Sequence, residues 1–497
     1  MSNVNFRTVK IMSLVTLMSL VLSACGGNES SEGLPKHLVT QAIPDADNDG
    51  VADSEDAFPS DPTESVDSDG DGFGDNADAF PQDASEWADI DANGIGDNAD
   101  ATRPVNEGAG APTGAVGDCA ANTAGVNWNA LMTENCRDLS DYNLFQDASD
   151  PTSAPTAGGI PFDLNIPLFT DYATKYRYAF VPEGMQAKYT EHEVLDFPVG
   201  TVLVKTFTMP ESTSNREGAE LVIETRLLIH RESGWMALPY YWDRETDAKI
   251  AIAGKSVPVT TYHNGVQRDF TYIVPDAQSC VLCHQILPIT QDDEISTDRS
   301  VFKPIGPKAR NMNKDFVYGD KTVNQLTHWV DNGILTGLPD AVDNLEKLML
   351  FRDDTIISQL SKDELTATAR GYLDINCAHC HRSELSLAEQ GYAGSAGYTG
   401  LQMEYNREFA QSKFGVCKQP IANRDDTNRV ELLDEFPETL AYDVVPQRPE
   451  RSYLLYRMTS SNPNQRMAPL GRSIHHTEGV DLISAWINTL DAADCSE

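Results

Sequence analysis

Two short stretches of this chain carry chemistry that few other residue combinations supply. Cys377-Ala378-His379-Cys380-His381 sets two thiols around two intervening residues, with an imidazole directly after the second thiol. Cys280-Val281-Leu282-Cys283-His284 repeats the arrangement 97 residues earlier. Thiols so spaced can reach the two vinyl groups of one porphyrin, and the trailing histidine falls under the iron as its proximal ligand. Each C-x-x-C-H is thus an attachment signature for a c-type haem, which assigns Cys280, Cys283, His284, Cys377, Cys380 and His381 to cofactor binding.

A C-x-x-C pair can otherwise be half of a zinc site or a redox disulfide. Zinc needs a second pair, and here the second pair has its own trailing His. A redox pair opens a helix in a βαβ setting, which the residues around Cys280 do not offer. His379, inside its C-x-x-C, is expected to point away from the iron.

A second axial ligand is sought in loops that proline stiffens. Arg466-Met467-Ala468-Pro469-Leu470-Gly471 fits, and Met467 lies 86 residues after His381. Met467 is the expected distal ligand of the C-terminal haem, with Met403 and Met458 as competitors. Thioether sulfur favours ferrous iron and raises the reduction potential. For the first haem Met312, His328 and Met349 are candidates by position. Met312 leads because it alone falls in a non-helical loop, and an open iron is the alternative. His475 and His476 read as surface groups near a haem edge.

The elements that must position these groups follow from periodicity. Ser361-Lys362-Asp363-Glu364 is a capping box, and Leu365, Ala369 and Tyr372-Leu373 run down one face to the cysteines. Thr477 can cap a last helix with the stripe Val480, Ile483, Trp486-Ile487 and Leu490. The two helices resemble the crossing pair of class I cytochrome c domains. Between the motifs, Thr322 to Asn332 has helical spacing and Gly333 fits a stop. From about residue 160 to 275 the pattern is of strands, with Thr201–Phe207, Leu221–Ile229 and Trp235–Trp242 the clearest, and a sandwich of short strands is expected. Glu224 and Arg226 share a strand face. No nucleophile–base pair is visible there, and His230 and His263 read as structural.

Residues 45 to 100 hold 19 Asp or Glu and no Lys or Arg. They repeat with a 22-residue period: Asp45, Asp47, Asp49, Asp53 and Asp56; Asp67, Asp69, Asp71, Asp75 and Asp78; Asp89, Asp91, Asn93, Asp97 and Asp100. Alternate carboxylates followed by glycine form a loop of hard oxygen ligands that suits Ca²⁺. Asp56 stands where an EF-hand has Glu, and Phe58-Pro59 bars an exiting helix. The pattern resembles thrombospondin type 3 calcium repeats. A disordered acidic spacer is the bland alternative, against which the strict period counts.

Arg7 and Lys10 precede an apolar run from Ile11 to Leu22, too short for a membrane span. It ends in Leu22-Ser23-Ala24-Cys25, which resembles a bacterial lipobox and makes Cys25 the lipidated residue. By resemblance to Gram-negative lipoproteins, Gly26 in place of an Asp favours the outer membrane. Nine cysteines are present. With one lipidated and four binding haem, four remain, and an exported chain would join them as disulfides. Sequence does not determine the pairing; Cys119 with Cys136 and Cys417 with Cys495 is the arrangement we adopt.

The chain has 497 residues, a net charge of −39 and a pI of about 4.4. Such length calls for several modules. Such acidity repels a phosphate backbone and argues against nucleic acid as a partner; bound cations or basic protein partners are favoured.

Phe162–Leu168, Phe197–Phe207, Glu224–Leu228, Asp374–His381 and Ser452–Gly471 together resemble a family of bacterial dihaem c-type cytochrome lipoproteins, over residues 130 to 497. The resemblance implies haem attachment at both motifs, and it implies Leu where Met312 stands. Similar modules accompany quinoprotein sugar-dehydrogenase propellers, absent here.

The expected architecture is multidomain: signal peptide 1–24, tether 25–44, extended calcium-binding repeats 45–104, linker and β-rich sandwich-like domain 105–275, first haem region 276–352, and a class I-like cytochrome c domain 353–497, the haem domains being mainly α. The expected function is electron transfer with redox partner proteins in the periplasm or at the outer membrane, using two covalent haem c groups and calcium ions. The rivals are a dihaem peroxidase or oxidase working at the first haem, and a calcium-dependent surface-binding module.

Overall fold

The computed structural model describes residues 45, 50–59, 64–70, 72–76, 78, 80–87, 117–120, 124–243, 247–288, 301–339, 342–382, 392–406, 411–421, 440–462, 465–491 and 495. Cys25, Asp47, Asp49, Asp71, Asp89, Asp91, Asn93, Asp97 and Asp100 lie outside them.

Runs of β-branched and aromatic residues build strands β1 (Gly159–Pro161), β2 (Thr174–Phe180), β3 (Ala187–Lys188), β4 (Val202–Pro210), β5 (Glu220–Arg231), β6 (Gly234–Trp242), β7 (Ala248–Ile250), β8 (Lys255–His263) and β9 (Val266–Val274). Six of them form one antiparallel sheet in the order β1-β2-β4-β5-β6-β7. Strand geometry turns alternate residues to opposite faces. One face presents Val202, Val204, Leu227, Ile229, Met236 and Leu238 to a cap formed by Leu131, Leu139, Tyr142 and the Cys119–Cys136 disulfide. The other presents Leu203, Lys205, Phe207 and Arg226, and much of it floors a cavity. The hairpin β8–β9 packs Val257, Val259 and Tyr272 against Phe207 and Met209 at its end.

Downstream, β10 (Gln285–Pro288), β11 (Val301–Phe302), β12 (Asp315–Tyr318), β13 (Lys321–Asn324), β14 (Leu335–Thr336) and β15 (Tyr392–Gly394) are short. β10 pairs with both β11 and β15, and β14 pairs with β3. The haem-motif segments are therefore woven into β structure across long sequence separations. This corrects the expected fold class: the described chain holds more strand than helix, in several antiparallel sheets, and the haem regions are not mainly α cytochrome-like domains. The physical reason is visible at Thr322 and Val323, where helical spacing coexists with β-branching. They pair with Val317 and Phe316 in a hairpin, and helix begins only at Gln325, capped by Asn324.

The longer helices are Lys362–Asn376, Tyr453–Thr459 and Thr477–Thr489. The first opens on the Ser361/Glu364 capping box. It packs against the last through Tyr372, Leu373, Ile483 and Trp486, all buried. The approach is close: a Cβ on Gly479 would lie 2.4 Å from the Tyr372 hydroxyl. The last helix is also docked on the β-rich part, where Glu478 meets His263 at 2.9 Å and the Tyr172 hydroxyl at 2.9 Å. The Cys417–Cys495 disulfide ties its far end to the segment that follows the second motif. No described helix is long and apolar enough to cross a membrane.

Candidate functional site

Both C-x-x-C-H stretches make the same turn. The His284 N–H donates to the Cys280 carbonyl at 3.0 Å, and the His381 N–H donates to the Cys377 carbonyl at 2.9 Å. This i to i−4 bond brings the two thiols and the imidazole of each motif onto one side of the turn. Asp276 pins the first turn by accepting the Ser279 N–H at 2.8 Å. The second turn ends the helix Lys362–Asn376, with Cys377 as its C-cap.

The sheet β11-β10-β15 brings the turns together. β10 starts directly after His284, and its Ile286 pairs with Gly394 of β15. β15 runs so tightly over the second turn that a Cβ on Gly394 would lie 2.3 Å from the Cys380 carbonyl oxygen. The Cys380 thiol consequently reaches the Leu282 carbonyl at 3.3 Å, and Ser395 donates to that same carbonyl at 2.7 Å.

The motif residues line one cavity of about 300 Å³, part of it open to solvent. Pockets for drug-sized ligands run to about 300–1,000 Å³, and this one lies at the lower end of that range. Cys280, Cys283, His284, Cys377, Cys380, His381 and Met467 all face this space, as do Met403 and Met458. Met312 does not: it is fully buried beside Leu326 and Trp329. His328 is stacked on Tyr318 at 3.7 Å, and neither it nor Met349 reaches the cavity wall. None of the three distal-ligand candidates for the first haem is therefore placed to serve.

Whether these residues fit a haem can be tested on the histidines. The Nδ1 of His284 lies 2.7 Å from the Lys303 carbonyl, which can only accept, so Nδ1 carries the proton and Nε2 keeps its lone pair. Phe302 stacks on the ring at 5.0 Å and fixes its plane. The Nδ1 of His381 lies 3.0 Å from the Thr399 hydroxyl, whose own proton goes to the Ala396 carbonyl at 2.7 Å. Thr399 must then accept, and His381 takes the same tautomer. Burial pushes His284 down to about 3 and His381 down to about 4, so both imidazoles are neutral at pH 7. A neutral imidazole with one nitrogen anchored is what an iron ligand requires.

The thiols fit the same reading. The chain closes Cys119–Cys136 and Cys417–Cys495 but leaves Cys280, Cys283, Cys377 and Cys380 unpaired. Burial pushes Cys280 and Cys377 up to about 12, whereas the neighbouring Cys283 thiol, with His379, holds Cys380 well below the ordinary thiol value.

The cavity wall is cationic although the chain is acidic. Among the described residues Lys175, Arg177, Lys205, Arg226, Lys418, Arg457 and Arg472 line it, against the one carboxylate Asp443. A haem carries two propionates, so this donor set suits it. Sequence reading missed these cations; the signal was a lone Lys205 between Val204 and Thr206 in an otherwise apolar strand. It also missed the buried carboxylate Asp374, which binds Lys308 at 2.8 Å and Arg310 at 2.8 Å three residues before the second motif.

In the acidic repeats, two copies have matching local geometry one period apart. Asp45 accepts the Gly50 N–H at 3.2 Å, and Asp67 accepts the Gly72 N–H at 3.1 Å. Asp56 accepts the Phe58 N–H at 2.7 Å, and Asp78 accepts the Phe80 N–H at 2.7 Å. Gly50 and Gly72 share the left-handed backbone, with φ of 99° and 96°. Among the described residues the second oxygen of Asp56 is buried without a hydrogen-bond donor. Burial raises Asp78, as do its neighbours Asp69, Asp75 and Asp67. Asp53 also belongs to the described part of the first copy. Glu64 and Glu86 are buried and one period apart, and were not among the expected ligands. Crowded, partly dehydrated carboxylates fit a hard divalent cation.

No family model, curated protein or solved structure matches this chain.

Proposed function

We propose that the chain is a dihaem c-type electron-transfer protein whose N-terminal acidic repeats hold calcium. The observation that carries this is the convergence of two C-x-x-C-H turns on one cavity, each with its histidine anchored through Nδ1 and neutral. Bound haem supplies one-electron redox chemistry. The chain's own residues would do the rest. Cys280 and Cys283, and Cys377 and Cys380, tether the group; His284 and His381 offer Nε2 to iron; Met467 offers a thioether to the C-terminal site. The closeness of the turns suits a two-centre relay. Export, lipidation of Cys25 and residence at the outer membrane belong to the same proposal, as do redox partner proteins yet to be identified.

The test is a potentiometric titration of the visible spectrum of purified protein. Two haems with separable potentials are expected. Colourless protein from a host competent in cytochrome maturation overturns the reading.

A second reading has its own observation. The ligand atoms of Cys283, His379 and Cys380 lie within 4.8 Å of one another, a sulfur–nitrogen set that suits Zn²⁺. Metal analysis separates the two: stoichiometric zinc without iron favours it, and iron at two per chain sinks it.

A further inference from the structure

The floor of the cavity holds a charge arrangement that attachment of haem to cysteine does not by itself explain. Arg177, Lys205 and Arg226 stand directly opposite one another on β2, β4 and β5, and Lys175 lies two residues from Arg177 on the same face. Like charges in cross-strand register repel and destabilise a sheet. Two of these cations are compensated: Arg177 pairs with Asp163 at 3.1 Å, and Arg226 pairs with Glu224 through two hydrogen bonds, of 2.7 and 2.5 Å. Lys175 has the Ala173 carbonyl at 3.0 Å. Among the described residues Lys205 has neither a carboxylate at ion-pair distance nor a hydrogen-bond acceptor; its ammonium sits 4.9 Å from the Phe207 ring centroid.

We propose that Lys205, flanked by Lys175 and Arg226, is a binding subsite for carboxylate or another oxyanion presented in the cavity beside the first C-x-x-C-H turn. An ammonium is strongly hydrated, and placing it on a half-buried wall without a counter-ion is costly. An anion seated on the row offsets both that cost and the cross-strand repulsion. Burial, with Arg226 and Arg177 nearby, pushes Lys205 down to about 7, as expected of a lysine that lacks its anion. Two sources share this chemistry: the propionates of a haem held at Cys280 and Cys283, and a diffusible oxyanion. Only the first source rests on the function proposed above.

Calorimetry with inorganic phosphate on the purified full-length protein, wild type and Lys205→Gln, is one arm. The other is the redox-difference infrared spectrum of protein whose haem carries ¹³C at the propionate carboxyls. Phosphate binding weakened at least tenfold in Lys205→Gln assigns the subsite to a diffusible anion. A labelled carboxylate band that moves in the variant, with no phosphate binding in wild type, assigns it to the propionates. Neither response overturns the proposal, and the calorimetric arm decides alone if the protein carries no haem. Lys205→Met, which removes the repulsion while keeping the apolar stem, replaces the glutamine variant if that fails to fold.

Discussion

The Cys380 sulfur lies 3.3 Å from the Leu282 carbonyl oxygen, so a thiol of the second C-x-x-C-H turn touches backbone inside the first. Groups tethered at the two turns would be neighbours, and each would sense the charge of the other. Circular dichroism in the Soret region should therefore show a bisignate, exciton-split band. Replacing Cys280 and Cys283 by Ala should collapse it to a single-signed band and shift the potential of the remaining haem. Two independent, additive haem spectra would sink the relay.

Gly394 is where that neighbourhood is most easily broken. A methyl group there would meet the Cys380 and His379 carbonyl oxygens at 2.3 and 2.4 Å, and both are backbone atoms that cannot swing aside. Gly394→Ala should cost about 1–3 kcal/mol through overpacking. It should also weaken the exciton band more than it lowers the melting temperature of the β-rich part, which circular dichroism can follow separately.

Asp374 should matter to stability more than any exposed ion pair. Its carboxylate is buried between Lys308 and Arg310. Burial alone would raise its pKa, but Arg310 and Lys308 outweigh that and hold it well below the usual range. Asp374→Asn strands two buried cations, and the expected loss is about 3–5 kcal/mol in denaturant titration.

Acid should act through Asp163. Burial opposes its charge, yet Arg177, Arg352 and Lys314 bring it to about 2. Because the folded value lies below the unfolded value of about 3.9, the stabilisation is complete above about pH 4 and lost as pH falls towards 2. It amounts to about 2–3 kcal/mol. Asp163→Asn should flatten the stability–pH curve in that window; an unchanged slope would count against the network.

If two haems are bound as proposed, Met467→Ala should convert the C-terminal one from low spin to high spin and lower its potential, with little effect on one held at His284. An unchanged spectrum would point to Met403 or Met458, which face the same cavity.

Local chemistry was legible in the chain and assembly was not. The Ser361/Glu364 capping box, the long central strands and the two C-x-x-C-H turns depend on neighbours a few residues apart, and each can be read there. The pairing of β10 with β15 spans about a hundred residues through two short strands of little intrinsic β signal. Nothing near Met312 announced that it would be buried against Trp329, away from the cavity. The α-rich expectation failed for a related reason. Helical spacing at Thr322–Asn332 and at the last helix was extended to whole regions, whereas Gly- and Pro-rich segments such as Pro304–Pro307 leave the chain to short β pairings instead. Beyond the lone Lys205, the cationic floor left no local trace because its members come from three strands.

On the haem reading, the sorting of eight thiols would set an order of events during biogenesis. Four end in disulfides and four stay reduced, and two of the latter, Cys283 and Cys380, face each other across the motif boundary. In an oxidising compartment, a chain that folded first could lock that pair, or either C-x-x-C, into a cross-link that no porphyrin could then enter. If haem is carried as proposed, covalent loading has to come before compaction, while all four motif thiols are still accessible.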